Sequence, residues 1–146
     1  MRVLDRQSDI TGVMNSKMTG AAEDAAFGRK MDRKRAEGGY RDKIKNLLER
    51  IDMQAQKLSE RLDIAELKRY RSLVTEFIDL TVRHSSEYHK EHKLDGKGRH
   101  RIFGIIKKID AELENLTRDI LKEHKDYINV LAKLDDIRGM LVDIIA

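Results

Sequence analysis

Four of the five histidines lie around one short stretch of the chain, and imidazole is a common zinc or nickel ligand. These histidines are His84, His89, His92 and His100. His84 falls on the apolar stripe of a predicted helix, whereas His89 and His92 fall near the end of that helix, so their rings are not expected to converge. Glu87 or Glu91 would suit a metal shell chemically, but we predict no metal site.

Four common catalytic or cofactor motifs are missing from the sequence. They are the HExxH zinc helix, the Glu-x-x-His pairs of di-iron bundles, the P-loop and the G-x-S-x-G nucleophile turn. The chain also has no cysteine, which excludes disulfides, thiolate metal sites and cysteine nucleophiles. The sequence therefore predicts a protein that is not an enzyme, with no catalytic residues and no cofactor.

A basic segment with two glycines is the first candidate binding site. It comprises Gly96, Lys97, Gly98, Arg99, His100 and Arg101. Glycine adopts positive φ angles easily, and the free N–H groups of the following helix attract anions. Cations in the first turn oppose the helix dipole, and such local conflicts are expected at functional sites. Neutralisation by Glu87, Glu91 and Asp95 is the purely structural alternative.

The second candidate site lies in the first 39 residues. This segment holds five of the nine glycines and no sustained apolar periodicity, so we predict a flexible, poorly ordered tail over residues 1–39. Within it, Phe27 and Met31 form a small apolar face at helical spacing. Five cations follow Phe27 closely, namely Arg29, Lys30, Arg33, Lys34 and Arg35. They form either a solvated charge run or a docking segment for an acidic surface, nucleic acid included.

Residues 40–146 must form the domain that positions the first site. Apolar residues recur there in steps of three and four, which predicts helices from about Tyr40 to Arg61, from Ile64 to Lys90, and after Arg99. Asp63 and Glu66 fit a capping box, so the first two helices should be antiparallel neighbours. The chain contains no proline that would interrupt a helix.

The apolar pattern is interrupted between Lys122 and Asp126, where the sequence has no apolar residue. Either Asp126 caps a fourth helix, or one long helix continues to Ile145 and is completed by a second copy. Such a helix would be about 70 Å long at 1.5 Å per residue. We therefore predict an all-α fold, a four-helix bundle of long antiparallel amphipathic helices. Gly139 costs the last helix on the order of 1 kcal/mol relative to alanine, which predicts a close backbone neighbour there.

Four short stretches of the domain carry a family resemblance. They are Ile51-Asp52-Met53-Gln54 with Leu58, Leu67-Lys68-Arg69-Tyr70-Arg71-Ser72-Leu73-Val74, Asp95-Gly96-Lys97-Gly98-Arg99 leading into Ile109-Asp110, and Gly139-Met140-Leu141-Val142-Asp143. In this order and spacing they resemble the YaaR-like family of small bacterial helical proteins. The resemblance implies an all-helical cytoplasmic protein of unassigned activity and brings no catalytic or ligand residues.

Charge and hydropathy limit the remaining functions. The net charge of +4 comes from interleaved acidic and basic residues, which does not produce the field typical of nucleic-acid-binding proteins. No segment approaches the roughly 20 apolar residues of a membrane helix, and the N-terminus lacks the apolar run of a signal peptide. We expect a cytoplasmic interaction or adaptor module that binds a protein partner, as a monomer or homodimer without membrane contact. Phosphate-ligand or nucleic-acid binding through Lys97 to Arg101 is the alternative.

Overall fold

The computed structural model describes the backbone of residues 14–92 and 96–146, and the side chains of residues 27–31, 35, 37–87 and 98–146. Four α-helices occupy these residues: α1 (Met14–Glu60), α2 (Ile64–His92), α3 (Gly96–Leu121) and α4 (Tyr127–Ile145). The chain divides into two compact units, Met1–Arg41 and Asp42–Ala146. The second unit holds the four apolar stripes and forms the predicted helical bundle.

Helix α1 begins at Met14, 26 residues before the predicted start at Tyr40. The segment lacks proline, and its glycines, at about 1 kcal/mol each relative to alanine, weaken a helix without forbidding it. A Cβ added at Gly28, Gly38 or Gly39 would meet nothing within 4 Å. The predicted boundary after Gly39 lies two residues from the unit boundary at Arg41. Flexibility of the tail stays a prediction.

The turn between α1 and α2 confirms half of the predicted capping box. The Oδ1 atom of Asp63 accepts the backbone N–H of Glu66 at 2.9 Å. Glu66 does not reach back to Asp63, whose own N–H donates to the carbonyl of Arg61 at 2.7 Å. The Glu66 side chain is instead buried, and there it accepts a hydrogen bond from the Gln54 amide of α1 and pairs with Arg69.

The core is built from the apolar stripes of all four helices. Most predicted stripe residues of α2 and α3 are buried, including Tyr70, Phe77, Ile109 and Leu116, whereas His84, Ile102 and Ile106 are only half-buried. On α1, Leu47 is one of the buried core residues, while Leu48, predicted to lie on the central stripe, is half-buried. The Arg71 guanidinium, near the start of α2, donates to the Thr117 hydroxyl, near the end of α3, at 2.8 Å. The two helices are therefore antiparallel.

The break between α3 and α4 confirms two helices rather than one. Asp126 is the N-cap of α4, and its carboxylate accepts the N–H of Asn129 at 3.1 Å. The predicted stripe is wrong at its start, because Tyr127 and Leu131 are exposed whereas Val130 is fully buried. Val130 extends the buried stripe of Leu134 and Ile137 in steps of four and three, and Tyr127, the first residue of α4, is exposed at the helix end.

One buried carboxylate joins α3 to α4. Asp119 of α3 pairs with Lys133 of α4, accepts from the Asn129 amide at 3.1 Å, and lies 3.2 Å from the Lys122 ammonium. The hydrogen bond from Lys133 lowers the pKa of Asp119 against the opposing effect of burial, and Lys122 adds to the lowering. The two lysines neutralise the buried Asp119 charge within the hairpin that α3 and α4 form.

The predicted backbone neighbour of Gly139 is wrong within the described residues, because a Cβ there would meet nothing within 4 Å. No helix in the described part of the chain combines the length and the apolar composition needed to cross a membrane.

Candidate functional site

The basic segment Gly96–Arg101 lies on the first turns of α3 rather than in a loop. Gly96 and Gly98 are therefore helical residues at the start of α3. The side chain of Lys97 and the surroundings of Gly96 lie outside the described residues. Arg99 and His100 are exposed to solvent, and their role as a contact surface stays a prediction.

Arg101 makes a structural contact. Its guanidinium donates to the backbone carbonyl of Asp143 at 3.1 Å. Asp143 lies in the last turn of α4, where carbonyls have no partner within the helix and the helix dipole favours a cation. Arg101 thus helps to hold the end of α4 against the start of α3, which sequence spacing alone did not predict.

The predicted docking segment in the first unit lies on a helix. Phe27 and Met31 are exposed on α1, and so are Arg29, Lys30 and Arg35. The side chains of Arg33 and Lys34 lie outside the described residues. An exposed phenylalanine one turn from an exposed methionine is the small apolar face that the sequence predicted.

The histidines do not meet in the described part of the structure. His84 is half-buried on the α2 stripe and His100 is exposed on α3, while the side chains of Tyr88, His89 and His92 lie outside the described residues. Among the described side chains, no group of three or more His, Asp or Glu residues could hold a metal ion.

A basic groove between α1 and α2 was not predicted. We call it the α1–α2 groove, and it consists of two adjoining hollows of about 540 and 430 Å³ that share Arg50 and Glu76 as lining residues. Six cations but only two carboxylates line it: Lys43, Arg50, Lys57, Lys68, Arg69 and Arg83 against Asp42 and Glu76. Met53, Leu73 and Leu80 supply apolar surface within it, and the buried Leu47 forms part of its floor.

The spacing of three of these cations explains both the groove and why it was missed. Lys43, Arg50 and Lys57 are seven residues apart, so they lie on one stripe of α1. In the sequence this stripe looks like the solvent-facing side of an amphipathic helix. The stripe becomes one wall of a groove only because α2 lies beside it. Lys68 and Arg83 of α2 lie near opposite ends of the two hollows.

Most of the groove cations lack a strong partner. Arg50 lies 4.0 Å from Glu76 across the groove, and both side chains are more than half exposed, so this ion pair is weak. Arg69 pairs with the buried Glu66 on its own helix. Lys43, Lys57 and Lys68 form no ion pair with another described residue.

A second, smaller groove lies between α1 and α4, and we call it the α1–α4 groove. Its volume is about 300 Å³, and it is lined by Asp52, Ala55, Tyr70, Leu131 and Arg138, among others. Arg138 donates to both carboxylate oxygens of Asp52, at 2.9 and 3.2 Å, and bridges the two helices. Burial raises the pKa of the Tyr70 phenol, and the negative charge of Asp52 raises it further. The phenol is therefore neutral at physiological pH.

Comparison with known proteins gives a family without an assigned activity. The model of a family described as a protein of unknown function (DUF327) matches residues 4–145. The uncharacterized protein YaaR of Bacillus subtilis (strain 168) is 26% identical over 103 residues, which are 70% of this chain and 70% of YaaR.

Two solved structures share the fold and more than a quarter of the aligned sequence. The crystal structure of uncharacterized protein BH1478 from Bacillus halodurans has a TM-score of 0.67 at 28% identity, covering 84% of this chain and 97% of that one. Moevan, a designed granulopoietic protein made by topological rescaffolding, has a TM-score of 0.67 at 29% identity, covering 74% of this chain and 92% of the design.

Proposed function

This chain belongs to the DUF327 family of proteins of unknown function, and we propose that it is a non-enzymatic cytoplasmic module that binds another protein through the α1–α2 groove. The resemblance to YaaR-like proteins is confirmed by this membership. The family brings no assigned activity, so the proposal rests on the surface of the bundle.

The observation that carries the proposal is the combination of charge and apolar surface in one groove. Four apolar side chains lie among six cations, and one of them, Met53, is 63% exposed. Protein interfaces typically combine an apolar centre with a polar rim, and methionine adapts its shape to different partners. The groove lining contains no histidine or cysteine, so it offers few groups suited to acid–base or nucleophilic catalysis.

The exposed start of α3 supports a second candidate function. Arg99 and His100 are solvent-exposed beside a helix N-terminus, where phosphate groups bind readily. Nucleic-acid binding there would weaken steeply with salt, with a slope of about −0.9 per phosphate contacted on duplex DNA. A protein complex with an apolar centre keeps part of its affinity when salt screens the charges.

Site-specific photo-crosslinking in cells that make the protein tests the proposal. A photoreactive residue at Met53 should yield adducts of increased mass that survive nuclease treatment and contain peptides of a second protein. The matched control carries the same residue at Ile128, which is 78% exposed on α4 and lies outside the groove lining. Equal adducts at both positions, or adducts lost to nuclease, would rule out a protein partner in the groove.

A further inference from the structure

We propose that the partner presents an acidic amphipathic α-helix, which lies along α1 in the α1–α2 groove. This inference rests on the proposed function and adds the chemistry of the partner. It is drawn from three properties of the groove: the spacing of its cations, their unpaired state, and the apolar side chains between them.

The cation spacing matches the repeat of a helix. Lys43, Arg50 and Lys57 follow one another at seven residues, or about 10.5 Å along the axis of α1. A second helix packed nearly parallel to α1 presents its own side chains at the same heptad interval. Carboxylates seven residues apart on that helix would each face one cation.

The length of the groove sets the length of its occupant. The lining residues of α1 run from Asp42 to Lys57, which is about 22 Å at 1.5 Å per residue. A helix of about 15 residues, or four turns, fills that length.

The charge state of the groove favours an acidic occupant. Lys43, Lys57 and Lys68 have no ion-pair partner among the described residues, so an incoming carboxylate displaces no existing pair at these positions. Arg50 and Glu76 are 4.0 Å apart and largely exposed, which leaves the guanidinium able to accept a closer partner. Opposite charges at the rim accelerate association and select against basic partners.

The apolar side chains distinguish a helix from a simple polyanion. Leu47, Met53, Leu73 and Leu80 lie among the cations. A nucleic-acid backbone has nothing to bury against them, whereas an amphipathic helix has one apolar stripe flanked by charge. A helix with leucines at the centre of its binding face and glutamates beside them satisfies both features.

Fluorescence anisotropy with three synthetic peptides tests the inference on the full-length chain. The first is a leucine–glutamate amphipathic helix, the second replaces each glutamate by glutamine, and the third keeps the glutamates but scrambles the apolar stripe. We expect the first peptide to bind at least about tenfold more tightly than either of the others at low salt, with the advantage over the glutamine peptide shrinking as salt rises.

Charge-reversed variants locate the binding. Lys57→Glu with Lys68→Glu should remove the advantage of the acidic peptide, and Lys43→Glu alone should reduce it. Lys107→Glu with Lys108→Glu, at exposed positions of α3, is the matched control and should leave binding unchanged. Circular dichroism shows whether each variant is folded, and the single Lys43→Glu variant serves if the double variant is not.

The contrary outcomes separate this inference from the proposed function. Equal binding of the acidic and glutamine peptides overturns the acidic partner but leaves a protein-binding groove. Absence of binding by all three peptides overturns the helix, while crosslinking at Met53 still decides whether a protein binds. Duplex DNA that competes as well as the acidic peptide, and loses affinity in the same variants, overturns both.

Discussion

The two helical hairpins of the bundle each bury a carboxylate beside their turn, and they neutralise it in different ways. In the α3–α4 hairpin, Asp119 receives a cation across the interface from Lys133, whose side chain is only 16% exposed. In the α1–α2 hairpin, Glu66 receives an uncharged amide across the interface from Gln54, and its cation, Arg69, is exposed on the same helix. Only the first hairpin neutralises its buried acid with a charge from the opposite helix.

The difference extends to the packing. α3 packs most closely against α4, whereas α1 forms one wall of both the α1–α2 groove and the α1–α4 groove. The α3–α4 hairpin therefore serves mainly as support, since its buried charges are satisfied internally. The α1–α2 hairpin keeps unpaired lysines and an open apolar surface, which are the features a binding face needs.

Matched leucine truncations give the largest test of this comparison. Leu113 of α3 is 4% exposed and Leu47 of α1 is 5% exposed, but Leu47 borders the α1–α2 groove, whereas Leu113 lines neither of the two grooves described above. We expect Leu113→Ala to lower the free energy of unfolding by about 4 kcal/mol and Leu47→Ala by about 2 kcal/mol, because a site beside a groove relaxes more easily. Urea denaturation measures both. Equal losses would show that the two hairpins are packed alike.

Removing the two buried acids should give the next largest effect. Asp119→Ala leaves Lys133 buried without its partner, so we expect a loss of about 3 kcal/mol in unfolding free energy. Glu66→Ala removes one acceptor of the Gln54 amide and the partner of the exposed Arg69, and its loss should be about 1 kcal/mol. Lys125→Ala, at an exposed position outside the Asp119 cluster, is the control and should cost no more than about 0.5 kcal/mol. A reversed order of the first two losses would contradict the comparison.

The pH dependence of stability isolates the Asp119 charge. The Lys133 ammonium holds the pKa of this carboxyl below its usual range, despite burial. Because the folded-state pKa is the lower one, the stabilisation is complete above the unfolded pKa of about 3.9 and disappears as the pH falls through the folded value. Asp119→Asn should flatten this loss relative to the unaltered chain in denaturation series below about pH 4. Parallel acid profiles for the unaltered chain and Asp119→Asn would contradict the assignment.

The features that the sequence predicted correctly depend on contacts and spacing within a single helix. Asp63 and Asp126 were identified as caps, because a capping carboxylate acts within three residues of its partner N–H. The stripes of α2 and α3 were equally readable, since their apolar residues keep one phase throughout. Errors arose where two neighbouring phases were both apolar, as at Leu47 and Leu48, or Val130 and Leu131.

What the sequence could not supply is the register between helices. Lys43, Arg50 and Lys57 form an ordinary exposed stripe in the sequence and line a groove only because α2 lies beside them. Arg101 meets the carbonyl of Asp143 only through the packing of α3 against α4. Gln54 and Glu66 are twelve residues apart and meet only because the turn at Asp63 is so short. Such pairs depend on tertiary packing, which overrides the pattern of any single helix.

Removal of residues 1–39 should have the smallest effect on stability. It tests whether the part of α1 before Tyr40 stabilises the bundle. Among the described side chains of α1 the first buried one is Ile44, and the half-buried Tyr40 is retained in this truncation. We expect the melting temperature to change by no more than about 2 °C, because the described side chains before Glu37 are exposed, and exposed helix contributes little to a cooperative core. A deeper truncation through Leu47 removes two core side chains and should lower it clearly. If the shorter truncation alone lowers it by more than about 5 °C, the N-terminal half of α1 stabilises the bundle, and the α1–α2 side is less open than proposed.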